Sequence, residues 1–135
     1  MKELQAYARE FQKEMNWDIQ TVNYETTKSS LMNNYMLLTT EVAEIAEELR
    51  KAFNFTNTQI NNGMNSEDAF RLAKEEIKQD VGKEMADCLA YITKMANYFE
   101  IDLEESFYAK MEEVKHRKNK DIKVIRPKVD SDLIE

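Results

Sequence analysis

Residues 29–52 read SSLMNNYMLLTTEVAEIAEELRKA, and the period of this stretch decides the fold. Leu31, Tyr35, Leu38, Val42, Ile45 and Leu49 recur at steps of three or four, the signature of a helix with one apolar stripe. Beside that stripe Glu41, Glu44 and Glu48 share a second face, because residues three, four and seven apart lie above one another on a helix. A helix is therefore predicted from Ser29 to Ala52, with Thr26, Thr27, Ser29 and Ser30 as candidate N-caps, since a side-chain oxygen there can accept a free backbone N–H.

Working outward, Leu4, Tyr7, Ala8, Phe11 and Met15 make a shorter apolar stripe and predict a first helix over Glu3–Asn16. From Trp17 to about Thr27 the period lapses, and a connecting loop is expected. Downstream, NFTNTQINNGMN at 54–65 is rich in Asn and Thr and contains Gly63, residue types that favour turns; it reads as a surface insertion. A third helix is predicted from Ser66, a plausible cap followed by Glu67 and Asp68, to about Tyr98. Gly82 costs that helix about 1 kcal/mol relative to Ala and allows a kink or break over Gln79–Lys83. Asp102 with Glu105 resembles a capping box and opens a fourth helix carrying Leu103, Phe107, Met111 and Val114 to about Lys118. The domain reading is thus one helical domain over 1–118 with an insertion near 54–65, and a C-terminal tail or arm over 119–135, where Pro127 stands and no helical stripe runs.

The bulk composition agrees with an all-α, four-helix bundle-like fold. In 135 residues there are Gly 2 and Pro 1, so the two strongest helix interrupters are nearly absent. The net charge of −7 disfavours polymeric nucleic acid or an anionic membrane as the main partner, because both would be repelled. A small phosphate compound can still be held if a divalent cation lies between. Cys88 is alone and has no intrachain disulfide partner, no signal-peptide core opens the chain, and no apolar run approaches the roughly 20 residues that span a bilayer; a cytoplasmic location is the expectation.

The chemistry-bearing residues are acidic. Asp80, Glu84 and Asp87 repeat on the third helix the i, i+4, i+7 ridge that Glu41, Glu44 and Glu48 approximate on the second. If the two helices pack antiparallel, as bundle neighbours do, the ridges meet. Clustered carboxylates repel and raise their own proton affinity unless a cation intervenes, and carboxylate oxygens are the donors that Mg²⁺ prefers. Solvated helix surface, balanced by Lys51, Lys74, Lys78 and Lys83, is the commoner meaning of such spacing. Against it stands the apolar run CLAYITKMANYF that follows Asp87 directly, where unpaired charge would be costly.

TEVAEIAEELRKAF at 40–53, GKEMADCLAYITKMANYFEIDLEESFYAKMEEVKHRK at 82–118 and FQKEMNW at 11–17 together resemble the MazG-type, all-α nucleotide pyrophosphohydrolase superfamily. Its pattern is E-x-x-E on one helix and E-x-x-D on the next, then an apolar helix, a short acidic loop and a helix with a basic end. The resemblance implies that Glu41, Glu44, Glu84 and Asp87 hold Mg²⁺, that Lys110 binds phosphate with Lys115 and Arg117 at the basic end, and that Phe11 and Trp17 help enclose a base. Trp17 and Phe11 read equally as packing residues, and Lys115 as a solvated helix end. Departures are Thr40, where many members carry a further Glu, Val114, where an Asn is common, and a longer gap between the acidic pairs.

The reaction implied is Mg²⁺-dependent hydrolysis of a nucleoside triphosphate between the α and β phosphates, giving a monophosphate and pyrophosphate. Glu44 and Glu48 are the candidate general bases. A homo-oligomer, dimer or tetramer, is expected, because the long helices expose more apolar surface than four helices of one chain cover. Two other functions compete: a non-catalytic helical interaction module, and a phosphoribosyl-ATP pyrophosphohydrolase on a similar fold. A di-iron bundle needs two Glu-x-x-His motifs, and with a single histidine the chain cannot supply them. His116 and Cys88 read as surface and packing residues respectively.

Overall fold

The computed structural model describes residues 1–117, which form helices α1 (Lys2–Glu14), α2 (Tyr24–Asn61), α3 (Ser66–Tyr98) and α4 (Leu103–His116). Residues 118–135, including the expected tail, lie outside the described part.

The cap of α2 is Asn23, whose Oδ1 accepts the Thr26 N–H at 2.8 Å, so the helix begins five residues before the expected Ser29. The hydroxyls read as caps lie inside it; Ser30 Oγ instead accepts the Gln20 N–H at 3.0 Å and ties down the preceding loop. At its other end α2 runs through most of the segment expected to be irregular. Thr56 and Thr58 each donate a hydroxyl hydrogen bond to the carbonyl four residues earlier, at 2.7 and 3.0 Å. These bonds consume within the helix the side-chain polarity that favours turns elsewhere. Only residues 62–65 connect the two long helices, with Gly63 at φ +100°. Asn65, rather than Ser66, caps α3 by accepting the Asp68 N–H at 2.9 Å. Helix α3 continues through Gly82 without a break, and Asp102 caps α4 as expected, accepting from Glu105 N at 3.1 Å.

Helices α2 and α3 form an antiparallel hairpin that holds most of the interhelical contact. The direction follows from the cross-contacts: Asn34 Nδ2 donates to Tyr91 O at 3.0 Å, carboxylate oxygens of Glu41 and Glu84 lie within 4.8 Å, and the Phe53 and Phe70 rings lie 6.3 Å apart. Far from the acids the seam is made of small residues, with Ala52, Thr56, Ala69 and Ala73 all buried. Small side chains let two backbones approach closely, which keeps the hairpin straight and in register.

The apolar stripes read from sequence are only partly the inward faces: Leu31, Leu38 and Ile45 of α2 are half-buried, but the rest of that stripe is open. Tyr35, Val42 and Leu49 of α2 are 52%, 54% and 43% exposed. The seam of α2 is instead Asn34, Glu41, Ile45, Glu48 and Ala52, a line of three- and four-residue steps one helical flank away. In α1 the buried residues are Gln5 and Gln12, whereas Leu4, Phe11 and Met15 remain exposed. Both glutamines converge on buried Asn97 of α3: its Oδ1 accepts from Gln5 Nε2 at 3.1 Å, and its Nδ2 donates to Gln12 Oε1 at 3.3 Å. Gln5 also reaches the start of α4, donating to Ile101 O at 2.6 Å and accepting from Leu103 N at 3.1 Å. A polar network therefore anchors α1, and α4 has no buried residue.

Candidate metal centre

Because seam positions at i and i+7 of α2 face seam positions of α3, the inward acids of the two helices are forced together. Carboxylate oxygens of Glu41, Glu84 and Asp87 all lie within 4.8 Å of one another. Glu41 and Glu84 are half-buried and Asp87 is exposed, so the cluster opens on one side to solvent. Glu84 carries the consequence: its carboxyl pKa is raised, first by desolvation, then by the hydrogen bond that its protonated form donates to Glu41 and by the charges of Glu41, Asp87 and Glu44. Two side chains bordering the cluster respond as well. Burial and the charges of Glu41 and Asp87 push up both the Cys88 thiol and the Tyr91 phenol.

A hard cation would relieve this repulsion. On one octahedral ion with metal–oxygen distances of about 2.0–2.1 Å, oxygens lie about 2.9 Å apart when adjacent and about 4.2 Å when opposite, so the three carboxylates would close around it by up to about 2 Å, within the reach of side-chain rotation. The donor set is all oxygen, with one open side for water or phosphate, which suits a hard divalent cation rather than a thiolate- or imidazole-seeking metal.

Of the other acids singled out by spacing, Glu44 is exposed on the α2 flank, outside the group of three, yet near enough for its charge to act on Glu84. Glu48 is buried at 7% exposure, and its Oε1 accepts from Lys51 Nζ at 3.0 Å. That bond and the charges of Glu48, Asp80 and Glu44 raise the Lys51 ammonium. The α4 cations are each paired on their own helix. Lys110 and Arg117 share Glu113 Oε1 at 3.1 and 2.8 Å, and Lys115 and His116 lie 3.8 and 3.5 Å from Glu112. Among the described residues no ion pair joins them to the acids. Phe11 and Trp17 line one apolar pocket of about 370 Å³ with Leu4, Tyr7 and Leu89. The half-buried Trp17 ring packs 5.2 Å from Tyr91 and lies 4.3 Å from the Lys94 ammonium.

The model of the MazG nucleotide pyrophosphohydrolase domain matches residues 25–121, well over half of the chain. The chain belongs to the MazG family. The matched span contains both acidic helices and α4, so the three clustered carboxylates fall inside the MazG domain, whereas α1, with Phe11, and Trp17 lie before it. No curated protein and no solved structure matches the chain. Membership makes the protein a nucleotide pyrophosphohydrolase by family, a hydrolase of acid anhydrides, and the acid cluster accords with the family's use of divalent metal. Among the described residues no helix of this MazG protein is long and apolar enough to cross a membrane.

Sequence reasoning overlooked Tyr91, Lys51 and Lys94 around the site. For Tyr91 a signal was present, since it follows Asp87 by four residues and so stands one turn further on the same face. Lys51 was read as solvated balance for an acidic surface, but its partner Glu48 is buried. For Lys94 the signal was its place in the middle of the apolar run CLAYITKMANYF.

Proposed function

We propose that this MazG protein is a Mg²⁺-dependent nucleoside triphosphate pyrophosphohydrolase that cleaves between the α and β phosphates. The observation carrying this reading is the convergence of Glu41, Glu84 and Asp87 within 4.8 Å, inside the span matched by the MazG domain. These three would hold Mg²⁺, with Glu44 joining from the flank. Bound Mg²⁺ would neutralise phosphate oxygens and make an in-line water more acidic.

The chain's own residues account for the rest. A water oxygen attacks the α phosphorus, the bond to the oxygen bridging α and β breaks, and the water's proton passes to a carboxylate. Glu44 suits that role because it stands outside the group of three and is exposed. Glu48 suits it less, since Lys51 occupies its oxygen at 3.0 Å. Phe11 and Trp17 border an apolar slot wide enough for a base. Lys110, Lys115 and Arg117 would meet the leaving pyrophosphate after exchanging their intrahelical partners for it, most readily in an assembly where α4 of one copy approaches the acids of another. A homodimer or homotetramer is part of this proposal, supported by the exposed stripes of α1 and α2.

The test is pyrophosphate release from a panel of canonical and modified ribo- and deoxyribonucleoside triphosphates, with Mg²⁺ or excess chelator. Mg²⁺-dependent release with a monophosphate product is expected. Glu84→Gln and Asp87→Gln should fall below detection, and Glu44→Gln by about 10²–10⁴-fold, the contribution of a general base. Undiminished turnover in the cluster variants would overturn the site; no release from any triphosphate would move the reading to phosphoribosyl-ATP or to an interaction module.

A further inference from the structure

A charged pocket lies next to the apolar one, with Gln12 lining both. It encloses about 260 Å³ at the junction of α1 and α3, and its lining includes Arg9, Gln12, Lys13, Asp18, Lys94 and Asn97. Three cations against one acid is unusual in a chain whose net charge is −7. Lys94 follows Asp87 by seven residues, two turns and about 10.5 Å along α3 on the same side, so this pocket is separate from the acid cluster.

The pocket is built from donors that lack acceptors. Lys94 is only 8% exposed, and among the described residues no carboxylate lies within ion-pairing distance of it. Its ammonium faces the Trp17 ring at 4.3 Å, a partial substitute for water, while Asp18 acts on it only from a distance. Gln12 is 2% exposed. Its Oε1 is engaged by Asn97, and its Nε2 has no partner, although buried amide donors are nearly always bonded. Arg9 makes one long bond, Nη2 to Asn97 Oδ1 at 3.4 Å, and among the described residues its guanidinium has no other partner. A ligand with several charged acceptor oxygens would answer the ammonium and the guanidinium fork together, with the Gln12 amide within reach only after a small rotation of its side chain. The volume falls below the roughly 300–1,000 Å³ of pockets that enclose a whole drug-sized ligand, which favours a phosphate or diphosphate group over a nucleoside.

We propose that Arg9, Gln12, Lys13 and Lys94 form a binding pocket for a phosphate-class anion. The oxygens could be the terminal phosphates of a nucleotide anchored at the acids, a source that rests on the hydrolase reading, or those of a free phosphate ligand, which does not.

The experiment is calorimetric titration of the full chain with inorganic pyrophosphate in excess chelator at constant ionic strength, followed in parallel by fluorescence of Trp17, the single tryptophan. Saturable binding with a change in Trp17 emission is expected. Lys94→Met and the double variant Arg9→Gln/Lys13→Gln should each weaken it about tenfold or more, the scale of losing a charge-assisted hydrogen bond. Should Lys94→Met fail to fold by circular dichroism, the double variant, at less buried positions, decides alone. No saturable binding, or binding retained within about twofold in the folded double variant, would overturn the pocket. Turnover with Mg²⁺ then assigns the source. A roughly tenfold rise in KM with kcat little changed in the double variant indicates the substrate's phosphates, and an unchanged KM indicates a free phosphate ligand. Absence of all turnover would count against the hydrolase reading while leaving the binding result standing.

Discussion

Glu84 is the residue on which metal binding and protonation compete. Its raised pKa means that the metal-free folded chain keeps this proton to a higher pH than the unfolded chain does. In chelator, therefore, stability should fall as pH rises through the window from the ordinary carboxylate value up to Glu84's raised one, because there the folded state binds more protons. Mg²⁺ must displace the same proton, so its apparent affinity should rise with pH over that window. Thermal denaturation between about pH 4 and pH 7, with and without Mg²⁺, measures both effects. Glu84→Gln, which cannot titrate, should flatten its part of the pH dependence. A Mg²⁺ stabilisation independent of pH in the unsubstituted chain would be incompatible with Glu84 as a ligand.

The long hairpin makes opposite demands on its two glycines. Gly82 is exposed in the interior of α3, and a Cβ built there meets nothing within 4 Å. Gly82→Ala should therefore stabilise by about 1 kcal/mol, a rise of a few degrees in Tm. Gly63 has equal space but sits at φ +100°, a backbone that L side chains rarely adopt. Gly63→Ala should destabilise by roughly 1–2 kcal/mol. A denaturant melt of each variant separates the two, and equal shifts of one sign would contradict this account. Both glycines were visible in the sequence. The third helix was legible through the first, with a kink allowed there that does not occur; the extension of α2 almost to the second was not, because Asn and Thr favour turns only when their side chains have no helical carbonyl to bond.

At the scale of the whole molecule, apolar surface remains that the four described helices leave open. Tyr7 is 71% exposed, Tyr35 52% and Phe107 57%, and α4 rests on α1 through its N-terminal end with no buried residue of its own. Light scattering of the purified chain should report a dimer or tetramer. Tyr35→Arg, which places charge on the exposed α2 stripe away from the acids, should shift the mass toward monomer while helical content is retained. A monomeric unsubstituted chain at micromolar concentration would count against the assembly proposal, and with it against completion of the site by α4 of another copy.

The sequence by itself determined that the chain is helical, roughly where its four helices lie, and which acids could meet. Those properties depend on period, composition and spacing, which are local. Tertiary structure alone decided which face of each helix turns inward. Half of the apolar stripe of α2, Tyr35, Val42 and Leu49, stays open, while Glu41 and Glu48 enter the seam beside Ile45, in line with the small buried residues Ala52, Ala69 and Ala73. That choice brought Glu41, Glu84 and Asp87 together and left Glu44 on the flank. It also paired Glu48 with Lys51 and buried Lys94 against Trp17. Except for the burial of Lys94 inside an apolar run, none of these outcomes has a local signature, because each depends on the relative rotation of two helices about their axes.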